Sequence, residues 1–540
     1  MSATSLQPSP DSIDPFEDPA GSEVSNADAA LTLTVDRNAT LTLGTDALII
    51  LDEGLKYRRK PRNFCGLLPQ LSKTTRAVPF YNILWAELVH FEVTIHYARP
   101  SGKNACRVAY VNYAVLDKTY FAQAQAWVDA LLSRAYPAGV RRRPRMKVMI
   151  NPKGGQGYAQ KLWRREIEKI FAAAHCEADV ERTAYRGHAA NMAEQLDVNA
   201  FDVVACASGD GLPHEVFNGL ARRRDATGAL RKIAVVQLPC GTGNAMSLNL
   251  NGTDSPSLAA LAIVKGVRTP MDLVAITQGD QKYYSFLSQS VGIIAESDLG
   301  TERLRWMGPM RFTWGILVRL LGKTVYPAEL SVAIEEDDKR VIKERYRKAR
   351  TAHEQSGPQH SSPAIPRLSN DSLPPLRYGT ISSPLPETFT HQSLPTLGNF
   401  YTGNMAYMAP STPFFPVALP ADGCQDMVIV DGLLPRLTAL RMLTTVESGA
   451  NIDFPEVSYR KVTAYRITPR VVEKRDVSKG WRAKFGRWLG GQGGHKDGFI
   501  AVDGERVPFE AFQAEVVPGL GTVLSKRGGV YEFEGPPGTP

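Results

Sequence analysis

Cysteine is scarce in this 540-residue chain: Cys65, Cys106, Cys176, Cys206, Cys240 and Cys424 are scattered, with no CxxC pair. No histidine cluster stands at zinc-ligand spacing either, so a disulfide framework and a structural zinc site are excluded. The thiols are expected to be buried and free, as in a reducing compartment. No stretch reaches the ~20 apolar residues that a membrane helix needs, so a bilayer would be met from the water side. The opening Met1–Asn26 is acidic and rich in Pro and Ser, without the charged and apolar regions of a signal peptide. A concentrated basic face is lacking too. The 63 Lys and Arg against 55 Asp and Glu leave a formal charge of +8, which favours anionic partners weakly and argues against nucleic acid. GxxxxGK[ST] is absent, and so is the protein-kinase set of Gly-rich loop, VAIK, HRD and DFG. Walker-type and protein-kinase sites are therefore out.

What remains is a chain with 43% hydrophobic and 22% charged residues, enough for a large core and two or three domains. Residues 1–28 read as a disordered tail and 526–540 as a flexible one. From 29 to 140, LTLTV, TLTLG, ALIIL, WAELVHFEVTIHYA and CRVAYVNYAVL alternate as antiparallel strands do. Phe121, Ala124, Val128, Leu131 and Leu132 then recur at helical spacing. Strands closed by one helix resemble a pleckstrin-homology-type (PH-like) module, whose basic run Lys56-Tyr57-Arg58-Arg59-Lys60 reads equally as a contact for lipid phosphates or as a solvated loop.

Beyond RRRPR (141–145) strands alternate with helices: MKVMI, ADVERTA, FDVVACAS and KIAVVQL, separated by helical segments. That alternation predicts a parallel sheet covered on both faces, hence an α/β nucleotide-binding domain over 141–270. From 271 to 525 the strands return in antiparallel style, among them KYYSFLSQSVG and GFIAVDGERV, and predict a β-sandwich. Its polar, Pro/Ser-rich stretch 336–396 is expected to be a disordered insertion.

Three glycine loops follow three of the parallel strands: Asn151-Pro152-Lys153-Gly154-Gly155-Gln156-Gly157, Ser208-Gly209-Asp210-Gly211 and Gly241-Thr242-Gly243-Asn244. Glycine lets backbone N–H groups approach a phosphate at the start of a helix, where the dipole favours anions. In a parallel sheet all three fall at the ligand-binding edge.

NPKGGQG, SGDGLPHEVFNGL and LPCGTGNAMS resemble the nucleotide loops of the diacylglycerol-kinase/sphingosine-kinase superfamily. VGIIAESDLGTERLRWMGPMRFTWG (291–315) is similar to the block that sets sphingosine kinases apart, and GFIAVDGE (498–505) to the block that returns to the nucleotide. The resemblance implies a two-domain lipid-kinase fold, using ATP and Mg²⁺. It implies that Asp210 is the general base. Asn151, Pro152, Lys153, Thr183, Ala184, Tyr185, Arg186, Gly187, Ser208, Gly209, Gly241, Thr242, Gly243 and Asn244 become ATP contacts, with Arg305 and Arg311 neutralising phosphate charge. Asp503, Gly504 and Glu505 approach the nucleotide from the second domain, and Asp503 and Glu505 are the nearest candidates for the metal. Asp298 faces the charged head of the acceptor, beside Gly211, Leu212 and Pro213. Lys153 stands where animal members often have Arg, which keeps the charge but not the bidentate geometry.

The acceptor so implied is a sphingoid long-chain base, whose protonated amine suits the Asp298 carboxylate. A ceramide or diacylglycerol kinase is the alternative within the enzymes, although those substrates carry no such cation. A catalytically inactive recruitment protein is the alternative outside the enzymes. A cytoplasmic location peripheral to intracellular membranes follows, with a homodimer left open. In the stretch 471–496, Trp481, Phe485 and Trp488 are interleaved with Lys479, Arg482, Lys484 and Arg487, a composition suited to an anionic surface.

Overall fold

The computed structural model describes residues 31–36, 38–52, 75–155, 157–300, 325–356, 372–470 and 498–536. The expected tail 1–28, the basic run at 56–60 and the aromatic-basic stretch 471–496 lie outside the described residues. Contacts divide the chain into two compact units: Met1–Phe80 with Ala86–Ile95 and Val111–Arg134, and the remainder.

In the first unit Thr32–Val35 (β1), Ala39–Leu43 (β2), Ala47–Asp52 (β3) and Thr75–Pro79 (β4) form an antiparallel sheet in chain order. Alternation along β2 and β3 buries Leu41, Leu43, Leu48 and Ile50 on one face. Ile83–Val89 (β5), Glu92–Pro100 (β6) and Cys106–Ala114 (β7) make a three-stranded sheet. Helix Phe121–Ala135 (α1) follows, burying Ala124, Trp127, Val128 and Leu131. Trp127 donates its indole N–H to the Leu31 carbonyl at 3.2 Å.

The second unit opens as the alternation predicts. Arg145–Ile150 (β8), Glu177–Arg182 (β9), Val203–Ser208 (β10) and Ala234–Pro239 (β11) are parallel, ordered β9-β8-β10-β11. Every residue of β10 and β11 is buried, because helices cover both faces. Among these are His188–Glu194 (α2), Gly211–Ala221 (α3) and Ala245–Asn251 (α4). The basic joint RRRPR is anchored where Arg141 and Arg145 meet the buried Asp202, at 2.9 and 3.1 Å.

The antiparallel half comprises Val267–Gln278 (β12), Gln281–Ser285 (β13), Ser288–Gly292 (β14), Ala328–Glu336 (β15), Thr390–Leu394 (β16) and Leu397–Gly403 (β17). The small hairpin Tyr407–Ala409 (β18) and Thr412–Pro413 (β19) precedes Gln425–Asp431 (β20), Val457–Pro469 (β21), Ile500–Val502 (β22), Glu505–Val507 (β23) and Phe512–Ser525 (β24). Its strands enclose a core of their own around Val291, Phe400, Tyr465 and Phe512. Strand β24 joins the halves. It pairs antiparallel with β12 and β21, and parallel with β11 at Val235↔Val523.

Three expectations are corrected. The stretch 336–396 is not a disordered insertion. Lys339–Ser356 (α6) is a helix, residues 372–396 are ordered, and β16 pairs with β15; 357–371 lie outside the described residues. Ile342 and Tyr346, only 2% and 3% exposed, recur at i and i+4 and anchor α6. The Glu515 carboxylate accepts from the backbone N–H of Arg377 at 2.6 Å and Tyr378 at 2.9 Å. Lys339, Lys343, Arg350 and His353 add polar contacts to Phe454 O, Asp453, Phe533 O and Arg527 O, so a helix whose average composition is polar is held along its length. The flexible tail expected from 526 is packed as far as it is described: Tyr531 and Phe533 are buried, and the Tyr531 hydroxyl donates to Asn404 O at 2.7 Å. KYYSFLSQSVG, expected as one strand, breaks into β13 and β14 at Phe286-Leu287, whose amides turn to a carboxylate described below.

Candidate active site

Three parallel strands end at one edge, so their loops are neighbours. The contact leaves no room for side chains. A Cβ on Gly241 would stand 2.4 Å from Gly209 Cα, and one on Gly155, at φ +59°, 2.5 Å from the Cys240 carbonyl oxygen. Asn151 Oδ1 accepts the Lys153 N–H at 3.0 Å. Asn244, itself left-handed at φ 53°, accepts from Gly241 N and donates to Gly241 O at 2.9 and 3.1 Å. These loops line a cavity of about 700 Å³, together with Ser288, Asp503, Gly504 and Glu505.

Asp210 leads into α3. Its Oδ1 accepts from Gln237 Nε2 at 3.1 Å and Met246 N at 3.0 Å, and its Oδ2 from Ala245 N at 3.0 Å. Asp210 thus caps the N-terminus of α4 from a different loop, satisfying two of its orphan amides. Burial raises the carboxyl above the ordinary carboxylate range and the charge of Asp503 adds to this, while the three donors oppose it. A Cβ on Gly243 would lie 3.2 Å from Oδ2, so glycine there keeps that oxygen open.

Asp503 occupies a left-handed turn at φ 50° with its carboxylate fully buried. Oδ1 accepts from Ser285 Oγ, Leu287 N and Ser288 N at 2.5, 3.0 and 2.9 Å; Oδ2 accepts from Phe286 N at 3.1 Å and meets His214 Nδ1 at 2.8 Å. This carboxylate is what splits β13 from β14. Burial pushes the His214 imidazole down, but the Asp503 bond and charge, with Glu505 and Glu215 beyond, outweigh that and raise it. Glu215 accepts from Gly187 N and Ala189 N at 2.9 and 3.1 Å, capping α2. Glu505 pairs with Arg186.

The structure brings Asn151, Lys153, Ser208, Gly209, Asp210, Gly211, Gly241, Thr242, Gly243 and Asp503–Glu505 to this one cavity. Asn244 acts through the Gly241 backbone. Of the 183–187 run, Arg186 reaches Glu505, whereas Thr183 is buried and donates its N–H to Ile150 O at 2.9 Å. Pro152, Ala184, Tyr185 and Gly187 are not among the lining residues. Leu212 and Pro213 are corrected: both are buried on the packed side of α3 and do not line the cavity. Arg305 and Arg311 lie outside the described residues, as does the side chain of Asp298, whose backbone belongs to helix Ile293–Gly300 (α5).

Two features escaped the sequence. Gln237 was legible only as the one polar side chain in a wholly buried strand; it braces Asp210 and accepts the Ser247 N–H at 2.8 Å. The second is an apolar cavity of about 90 Å³ lined by Ile293, Val428, Met442 and Val457 among others. Ile294, Phe414 and Val446 line both cavities, so a polar, glycine-walled chamber adjoins an apolar one. No residue spacing announces it, since its walls come from segments scattered between residues 293 and 457.

Comparison with known proteins agrees with this geometry. A family model for the diacylglycerol kinase catalytic domain matches residues 145–276, and one for a domain of unknown function (DUF7493) matches 31–137. The chain is a lipid kinase. It is 34% identical over 468 residues to Sphingoid long chain base kinase 4 of Schizosaccharomyces pombe, covering 86% of this chain and 91% of that protein. With Sphingoid long chain base kinase 5 of Saccharomyces cerevisiae it shares 32% over 491 residues, covering 81% and 67%. The chain therefore belongs to the sphingosine kinase family of the diacylglycerol-kinase/sphingosine-kinase superfamily. A crystal structure of a diacylglycerol kinase from Bacillus anthracis aligns at TM-score 0.44 and 16% identity over 71% of this chain and 97% of that one.

Proposed function

We propose that this kinase transfers the γ-phosphoryl group of ATP to the primary hydroxyl of a sphingoid long-chain base, giving the 1-phosphate and ADP. The observation that carries the reading is the junction of the two cavities at Ile294, Phe414 and Val446, with an anion cradle containing Asp210 on one side and an apolar slot for an aliphatic chain on the other. Asp210 serves as general base. Its carboxyl is raised toward the working range, and Oδ2 accepts only one of the described hydrogen bonds. The hydroxyl proton passes to Asp210 as the new O–P bond forms and the bond to the ADP oxygen breaks. The glycine-loop amides receive the phosphates, with Lys153 supplying charge and Arg305 and Arg311 adding theirs.

Mg²⁺ would arrive as a companion of the ATP phosphates: the Asp503 carboxylate is already met by five partners, so Glu505, which pairs with Arg186, is the acidic side chain of the cavity that would turn to the metal. When bound, the ion neutralises phosphate charge. Asp298 selects the protonated amine of the base, with Gly211 beside it. Peripheral docking on an anionic membrane, a PH-like N-terminal unit and homodimerisation belong to the same proposal.

ADP release with sphingosine, ceramide and diacylglycerol offered side by side in detergent tests it. Sphingosine should be preferred, and Asp298→Ala should erase the preference while leaving the apparent affinity for ATP within a few-fold. Equal turnover of all three lipids by the unaltered enzyme would refute it.

A further inference from the structure

Arg436–Thr445 (α7) forms one wall of the apolar cavity with its inner side, through Ala439 and Met442. A helix with one apolar face ordinarily presents polar residues outward. Here the outward side is apolar too: Leu437 is 78% exposed, Leu440 47%, and Leu433, in the turn leading into the helix, 52%. Exposed arginines, Arg436 and Arg441, stand among them, and α7 contains no acidic residue. The nearest carboxylates in the chain sit at the two ends. Asp431 accepts from Leu433 N at 2.6 Å and pairs with Thr396, and Glu447 lies beyond the last turn. Exposed leucines interleaved with arginines, on a helix whose only charges are cationic, are the composition of a helix lying in the headgroup layer of an anionic bilayer.

We propose that the outer face of α7 is the membrane-docking surface of the catalytic unit, and that its occupant is an anionic lipid bilayer. This rests on the lipid-kinase reading of the cavity beneath. A substrate with an aliphatic chain leaves the bilayer most directly where the cavity wall itself lies in that bilayer, since its chain then need not cross water. The net charge of +8 acts in the same direction, drawing the whole chain to an anionic surface.

The test uses the full chain, co-sedimented with phosphatidylcholine vesicles with and without phosphatidylserine, and assayed for ADP release on sphingosine in vesicles and in detergent. Leu437→Ser/Leu440→Ser should lower the vesicle partition coefficient by about tenfold or more, since each leucine loses much of the free energy of apolar burial. Activity on vesicles should fall in parallel, and activity in detergent should stay unchanged, because neither leucine lines a cavity. Arg436→Gln/Arg441→Gln should weaken binding only to phosphatidylserine vesicles, and high salt should abolish the difference. Unchanged partitioning of the leucine variant overturns the proposal. So does loss of binding in Trp481→Ala/Trp488→Ala with full binding in the leucine variant, which would move docking to 471–496. A drop in solution mass of the leucine variant, measured by light scattering, would make this face a contact between copies and equally overturn it. Should the unaltered protein fail to use sphingosine in detergent, the substrate reading falls, while sedimentation alone still decides the docking face.

Discussion

Asp503→Asn removes a charge from the centre of the site without changing its volume. The wild-type carboxylate is fully buried and meets five donors: Ser285 Oγ, three backbone amides and His214. Asparagine keeps one accepting oxygen. Placed at Oδ1, that oxygen retains Ser285, Leu287 and Ser288, and the amide nitrogen then faces the Phe286 N–H and His214. One buried backbone donor is stranded, at a cost of roughly 1–3 kcal/mol, and a charge-assisted bond of roughly 1.5–3 kcal/mol is lost. The sum, roughly 2.5–6 kcal/mol, is a large share of the 5–15 kcal/mol that usually separates folded from unfolded chains. Urea denaturation followed by tryptophan fluorescence reads it directly.

The pH dependence supplies a second reading. The folded pKa of His214 is raised, so its pairing with Asp503 stabilises fully below the ordinary histidine value of about 6.5 and is lost as pH rises through the raised value. The gap between wild type and Asp503→Asn should therefore narrow above that range. A variant with an unchanged denaturation midpoint and an altered metal requirement would refute this reasoning and return Asp503 to the metal.

Asp210→Asn should lower turnover by roughly 10²–10⁴-fold and also reduce the melting temperature, because a single amide oxygen leaves at least one of the three donors unmet, at roughly 1–3 kcal/mol; a turnover within a few-fold of wild type would remove Asp210 as base. Gly241→Ala puts a Cβ 2.4 Å from Gly209 Cα, so two loops must separate, and the apparent KM for ATP should rise steeply in a steady-state assay. Tyr346→Ala should destabilise by roughly 3–5 kcal/mol, and Tyr346→Phe by only about 1 kcal/mol, since the phenol donates a single bond to Phe533 O at 3.2 Å. Equal denaturation curves for the alanine variant and wild type would show that α6 is dispensable.

Much of the site was legible because its parts are local. Each glycine loop follows its own strand within a few residues, and periodicity located those strands at β8, β10 and β11. The resemblance of SGDGLPHEVFNGL then pointed to Asp210 without help from distant segments. Leu212 and Pro213, within the same block, show the limit: adjacency in sequence put them at the substrate, while helical geometry turned them into the packed side of α3. The stretch 336–396 fails for another reason. Composition averaged over a window conceals a helix held by Ile342 and Tyr346 together with polar contacts to segments far away in sequence.

The sequence by itself determined the parallel sheet, its glycine-lined edge and the chemistry of the loops, since these depend on side chains a few residues apart. The tertiary structure alone decided what Asp503 does. Its partners Ser285 and His214 are 218 and 289 residues away. A buried carboxylate takes whichever donors the fold brings within reach, and in a turn read from sequence alone an Asp-Gly-Glu shows none of them. The same holds for the junction of the two cavities, whose shared walls Ile294, Phe414 and Val446 meet only once β14, β17 and β20 have paired and α7 has closed over them.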